Sequence, residues 1–150
     1  MNSKSKIIIA TILLILGIVI GIINQNQNDT TPANTQNNLE NNLQTNLNSI
    51  SLKEWKNLYD NDKDYIVIDV RTPKEYNNQK IPNSKLINFY DTDFKEQLNQ
   101  LDKNQKYLIH CRSGSRSSNA LGVMKELKFT NVQDLKGGIN VWNSAGYPTE

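Results

Sequence analysis

Hydrophobic residues fall into three regimes along the chain. Ile7–Ile23 is apolar at 14 of 17 positions, Asn24–Ser49 at 4 of 26, and Ile50–Glu150 at 36 of 101. The first run is apolar on every helical face and spans roughly 26 Å as a helix, close to the ~30 Å hydrocarbon core of a bilayer. A core helix of that kind needs a large protein around it, which 150 residues do not supply. Residues 7–23 are therefore predicted to be a transmembrane signal-anchor, with residues 1–6 as its cytoplasmic flank. Lys4 and Lys6 precede the run and no Lys or Arg follows it before Lys53. That asymmetry places the N-terminus inside and the remainder on the extracytoplasmic side. No small-residue cleavage site of the A-x-A kind follows the run. Residues 24–49 hold fourteen Asn or Gln, two charges and one Pro, a composition that reads as a disordered tether. Leu39, Leu43 and Leu47 leave a short helical patch open within it.

Residues 50–150 alternate two periodicities. Ser51–Glu54 forms a capping box, and Leu52, Trp55, Leu58 and Tyr59 then give a helix one apolar face. Tyr65–Val70 is nearly continuous and β-branched, as in a strand covered on both sides. Thr72–Glu75 repeats the capping box, with Pro73 at the first helical position. Ile81–Ser84 reads as a turn, Lys85–Asn88 as a weaker strand, and Phe94, Leu98 and Leu101 as a helix starting near Asp91. Lys106–His110 is a further strand, Ser117–Leu127 a helix, Asn131–Leu135 the last strand, Gly137-Gly138 a turn and Ile139–Ser144 a final helix. Strands and helices alternating at this length predict an α/β domain with a mainly parallel central sheet flanked by helices.

Composition narrows the chemistry. The net charge of +2 is too near balance to suggest nucleic acid as a partner. One cysteine excludes an internal disulfide and a cysteine-rich zinc site, and one histidine leaves no His-pair metal motif. No metal or cofactor is expected. The single Cys, the single His and two of the three Arg lie within His110–Arg116. A strand, a polar loop and a helix in that order aim unpaired amides and the helix dipole at the loop, which favours Cys111 as a thiolate. Arg112 and Arg116 add charge, Ser113 and Ser115 offer hydroxyls, and Gly114 allows a tight turn. The rival reading is a small buried hydrophobe at a strand end, against which stand the polar residues that follow. His110 points to the opposite face of the strand and is expected behind the loop in a structural role.

HCRSGSRS at 110–117, DVRTPKEY at 69–76, KIPNSKLIN at 80–88 and LKGGINVW at 135–142 resemble, in order and spacing, the landmarks of a single rhodanese domain over residues 50–149. The resemblance implies a rhodanese-like fold and a sulfurtransferase in which Cys111 takes a sulfane sulfur from thiosulfate, a polysulfide or a persulfide. It implies further that Cys111 holds this sulfur as a persulfide among the amides of Arg112–Arg116 and passes it to a thiol acceptor or partner protein. Arg112 and Arg116 would orient an anionic donor, Asp69 would hold neighbouring loops, and Arg71 with Glu75 would form a pair behind the site. Related phosphatase loops have five residues between Cys and Arg, whereas four separate Cys111 from Arg116 here. The alternative is a rhodanese-fold module that relays sulfur to a partner with little turnover of small donors; a thiol-redox role lacks a resolving cysteine. With no glycine between Gly21 and Gly114, Asn77, Asn78 or Asn83 is expected at left-handed positions. Trp142 and Tyr147 are expected to pack in the core.

Overall fold

The computed structural model describes residues 45–150. The predicted signal-anchor and most of the tether lie outside the described residues, among which no helix is long and apolar enough to cross a membrane. Ten elements follow in order: β1 (Asn46–Ile50), α1 (Leu52–Asn61), β2 (Tyr65–Asp69), α2 (Pro73–Asn78), β3 (Lys85–Leu86), α3 (Phe94–Asn99), β4 (Lys106–His110), α4 (Ser115–Glu126), β5 (Asn131–Leu135) and α5 (Gly138–Ser144). The strands form one parallel sheet in the order β1-β5-β4-β2-β3.

β1 departs from expectation, because the composition of Asn46–Ser49 predicts part of the tether. Its residues pair one for one with Asn131–Leu135 of β5, and Leu47 packs against the core. An edge strand needs only one covered face and one bonded side. Asn-rich sequence can serve there despite low β-propensity, because pairing and context override propensity. The weak strand after Ser84 is shorter than expected, since only Lys85 and Leu86 pair with β2.

Both capping boxes form. Ser51 accepts from the Glu54 amide and Thr72 from the Glu75 amide, while each Glu side chain returns to its cap amide. Alternation along the central strands divides the core in two. Ile68, Ile109 and Val132 face α3 and α4 with Phe94, Leu98, Met124 and Phe129. Val67, Leu108 and Leu135 face the other side with Trp55, Ile139 and Trp142. Trp55 and Trp142 are fully buried, their ring centroids 5.7 Å apart, and Tyr147 packs edge-on against Trp142. Asn83 takes the left-handed backbone (φ 63°), as does Lys128, whereas Asn77 and Asn78 are helical. The strand ends next to Cys111 are therefore fixed from both faces of the sheet.

Candidate functional site

β4 ends at His110 and continues directly into Cys111, Arg112, Ser113 and Gly114. Gly114 sits at φ +100°, a conformation that glycine adopts without strain. It caps α4, which starts at Ser115, two residues earlier than expected. Arg116 and Ser117 consequently lie in the first helical turn. This moves Ser117 from the expected start of the helix to a position facing the cysteine.

Cys111 continues the face of Ile109 and is 1% exposed. Its Sγ is nevertheless in polar company. It accepts from the Gly114 amide at 3.1 Å and from the Ser117 hydroxyl at 3.5 Å. Burial pushes the thiol pKa up, but the Ser117 hydroxyl and the amides of Ser117, Gly114 and Ser113 outweigh it, and the net shift is downward. Such a thiol ionises more readily than a free cysteine, which is the property of a nucleophile. Ser113 and Ser115 are exposed; Ser113 contributes its amide, while neither hydroxyl reaches Sγ.

Two features behind the loop aim these amides. The Ile139 amide donates to the Cys111 carbonyl at 2.8 Å and the Asn140 amide to the Arg112 carbonyl at 3.1 Å. The first turn of α5 thus holds the loop's carbonyls away from Sγ. Gly138 permits this approach: a Cβ there would lie 2.6 Å from the Arg112 carbonyl carbon and would also collide with the Cys111 carbonyl oxygen. Gly137-Gly138 is therefore a docking surface for the loop as well as a turn. His110 lies on the opposite face, fully buried, with Nδ1 3.3 Å from the Cys111 carbonyl oxygen and Nε2 3.6 Å from Asp69. Burial pushes its pKa down, so a neutral ring supports the backbone from behind.

The ion pairs are distributed differently from the expected set. Arg71 binds Asp69, with Nε donating to both carboxylate oxygens at 2.9 Å and Nη2 to Oδ2 at 2.6 Å. Both are buried. Arg71 also donates to the Gln79 carbonyl at 2.7 Å. Glu75 pairs with Arg116 instead of Arg71, through two bonds of 2.7 and 2.8 Å. Its capping-box geometry already points the carboxylate toward α4. The Arg116 bonds, against the opposing effect of burial and with help from Thr72, hold the Glu75 pKa at about 2. Asp69, Arg71, Glu75 and Arg116 thus form a frame around the loop. Arg112 is exposed and is the one arginine without an ion pair among the described residues. It borders a cleft of about 280 Å³ with Arg71, Glu75, Asn140 and Asn143. Tyr90, 66% exposed, lies 5.6 Å from the Arg116 guanidinium.

Sequence reasoning did not single out Ser117 or the buried Asp134. Placing the helix start directly after Gly114 puts Ser117 third in the helix and within reach of Sγ, so the first of these had a signal.

The family profile of the rhodanese-like domain matches residues 51–145. The chain belongs to the rhodanese-like family. Over 95 residues the rhodanese-like domain is 38% identical to a tRNA uridine(34) hydroxylase of Pelagibacter ubique, a match covering 61% of this chain but 31% of that protein. Over 86 residues it is 29% identical to a sulfurtransferase of Allochromatium vinosum, covering 57% of this chain and 78% of that protein. Among solved structures, a rhodanese-related protein from Thermoplasma volcanium is 34% identical with a TM-score of 0.59, covering 68% of this chain and 96% of that one. The chain therefore spans about a third of the hydroxylase and most of the other two. Membership of the family and its sulfurtransferase-named relatives support sulfurtransferase chemistry at the family level.

Proposed function

We propose that this rhodanese-like domain transfers a sulfane sulfur from a small anionic donor through a Cys111 persulfide. The observation that carries this reading is Cys111 Sγ held by the Gly114 amide and the Ser117 hydroxyl at the N-terminus of a twelve-residue helix. That arrangement stabilises negative charge on sulfur before and after loading. The Cys111 thiolate attacks the outer sulfur of thiosulfate, a polysulfide or a persulfide. A new S–S bond forms, the donor's S–S bond breaks, and the leaving group departs with the bonding pair as sulfite, a shortened polysulfide or a thiolate, according to the donor. An acceptor thiolate then attacks the outer sulfur of the persulfide and regenerates Cys111. Arg112, free of carboxylate partners, orients the donor's anionic group, while Arg116 is committed to Glu75 and shapes the loop.

The test is intact mass of the purified chain after incubation with thiosulfate. One added sulfur is expected, removed by cyanide and absent from Cys111→Ser, with Arg112→Gln needing a higher thiosulfate concentration for half-loading. No gain with thiosulfate, polysulfide or a small persulfide would sink the proposal.

A second reading, relay of sulfur to a partner protein, uses the same persulfide and differs in the acceptor. The exposed Tyr90 ring beside Arg116 favours it, since it offers an apolar contact at the loop. We also propose, from residues 7–23 and the flanking lysines, that the domain works outside the cytoplasm on a signal-anchor.

A further inference from the structure

The transfer scheme leaves the single histidine unused. His110 ends β4, and its side chain is wholly shielded from solvent. Its two ring nitrogens meet different neighbours. Nδ1 lies 3.3 Å from the Cys111 carbonyl oxygen. Nε2 lies 3.6 Å from Oδ2 of Asp69, the residue paired with His110 on β2, and makes no hydrogen bond. Both neighbours are acceptors, and a neutral imidazole has one N–H to give. The network around the ring decides which nitrogen carries it.

Asp69 is already served, since Arg71 Nη2 donates to Oδ2 at 2.6 Å and Nε at 2.9 Å. The separation of 3.6 Å is also too long for a hydrogen bond from Nε2. The Cys111 carbonyl has one backbone donor, the Ile139 amide at 2.8 Å, and a second lone pair to offer. With the proton on Nε2, the bare Nδ1 would instead face that carbonyl oxygen, lone pair to lone pair. The Nδ1 proton has a consequence for the loop. The peptide joining Cys111 to Arg112 is planar and trans, so fixing its oxygen toward His110 and α5 turns the Arg112 N–H the other way. The turn that brings the Gly114 amide to within 3.1 Å of Sγ starts from this plane. We propose that His110, with its proton on Nδ1, is a positioning residue for Cys111: together with the Ile139 amide it clamps the Cys111 carbonyl, while the Arg71–Asp69 pair leaves the ring's one proton to Nδ1.

Few groups face the ring. Asp69 comes from β2 and Arg71 from the turn after it. Trp55 of α1, which does not titrate, packs edge-on at 6.3 Å between centroids. Burial pushes the His110 pKa down, Asp69 pulls it up, and Arg71 pushes it down again, with a net shift downward. The ring therefore stays neutral and keeps a single proton near neutral pH.

The inference rests on Cys111 being the reacting group, but its test reads the ring and the thiol without any sulfur transfer. Nitrogen NMR of the full chain, labelled with nitrogen-15 histidine, follows the one imidazole in the sequence. A proton bonded to Nδ1 and a bare Nε2 are expected, unchanged from about pH 6 to about pH 8. A proton on Nε2, or on both nitrogens, would overturn the proposal. Two variants then read the thiol, whose alkylation by iodoacetamide across a pH series gives a midpoint. Asparagine places an N–H where Nδ1 stands, and glutamine places one where Nε2 stands. His110→Asn should keep the wild-type midpoint. His110→Gln should raise it by about half a unit, a fraction of one hydrogen bond's weight because the Ile139 amide still holds the carbonyl. Equal midpoints in the two variants, or the reverse order, would reduce His110 to a space-filling role and sink the idea. The nitrogen measurement needs no variant, so a variant that fails to fold still leaves the proposal open to refutation. Failure of sulfur loading with the ring and both midpoints as expected would instead count against the transfer reaction alone.

Discussion

Replacing Glu75 by Gln removes the carboxylate that holds Arg116 while keeping the side chain's shape. In the folded protein the Glu75 pKa is held at about 2 against its ordinary 4.5, chiefly by the Arg116 bonds. Linkage converts that difference into about 3 kcal/mol of stability. The Glu75 side chain is 26% exposed, and solvent screening reduces the expected contribution to about 1–2 kcal/mol. The sign follows from the direction of the shift. A depressed carboxylate pKa contributes stability that is fully present above the unfolded value of 4.5 and is lost as pH falls toward 2. Urea unfolding of wild type and Glu75→Gln at pH 7 should therefore differ by about 1–2 kcal/mol, and the gap should shrink to a few tenths at pH 2. Thermal midpoints at pH 7 should differ by about 5–10 °C for a domain of this size. A gap of the same size at both pH values would refute the reasoning. It would mean that the variant acts through packing or the capping box instead of through the charge on Glu75.

Gly138→Ala places a Cβ against the loop backbone at φ +61°. It should destabilise the domain by about 2 kcal/mol or more, read by thermal melting, and slow Cys111 alkylation because the loop carbonyls lose their α5 amides. Alkylation at the wild-type rate would contradict the role given to α5. A reporter fused after Glu150 should be active only outside the cytoplasm, and activity of a cytoplasm-only reporter would overturn the orientation inferred from Lys4 and Lys6.

Local rules made much of the framework legible. Both helices that open on a capping box begin where the sequence places them, because a cap is a contract between residues three apart. β2 follows from a β-branched run of the kind that a covered strand carries, and β4 from the short apolar run Tyr107–Ile109. The polar loop after β4 was recognisable for the same reason, since Cys111 is followed by residues that an inert buried cysteine would not have. β1 was hidden by its composition. Asn46–Ser49 pairs only because β5 lies beside it, and nothing within those four residues specifies a strand.

The partners of charged side chains were also beyond local reading. Asp69, Arg71, Glu75 and Arg116 were all identifiable as residues of interest. Which arginine meets which carboxylate depends on where α2 and α4 come together, and α4 begins two residues earlier than its apolar spacing suggests. The sequence alone determined the alternation of elements, the polar composition of the Cys111 loop and the resemblance to a rhodanese domain, all of which depend on neighbours a few residues apart. Tertiary structure decided that Arg116 is bound and Arg112 free, and that α5 amides clamp the loop. Those contacts join residues 28 to 41 positions apart in the chain, and only the packing of the sheet and its helices brings them within a few ångströms.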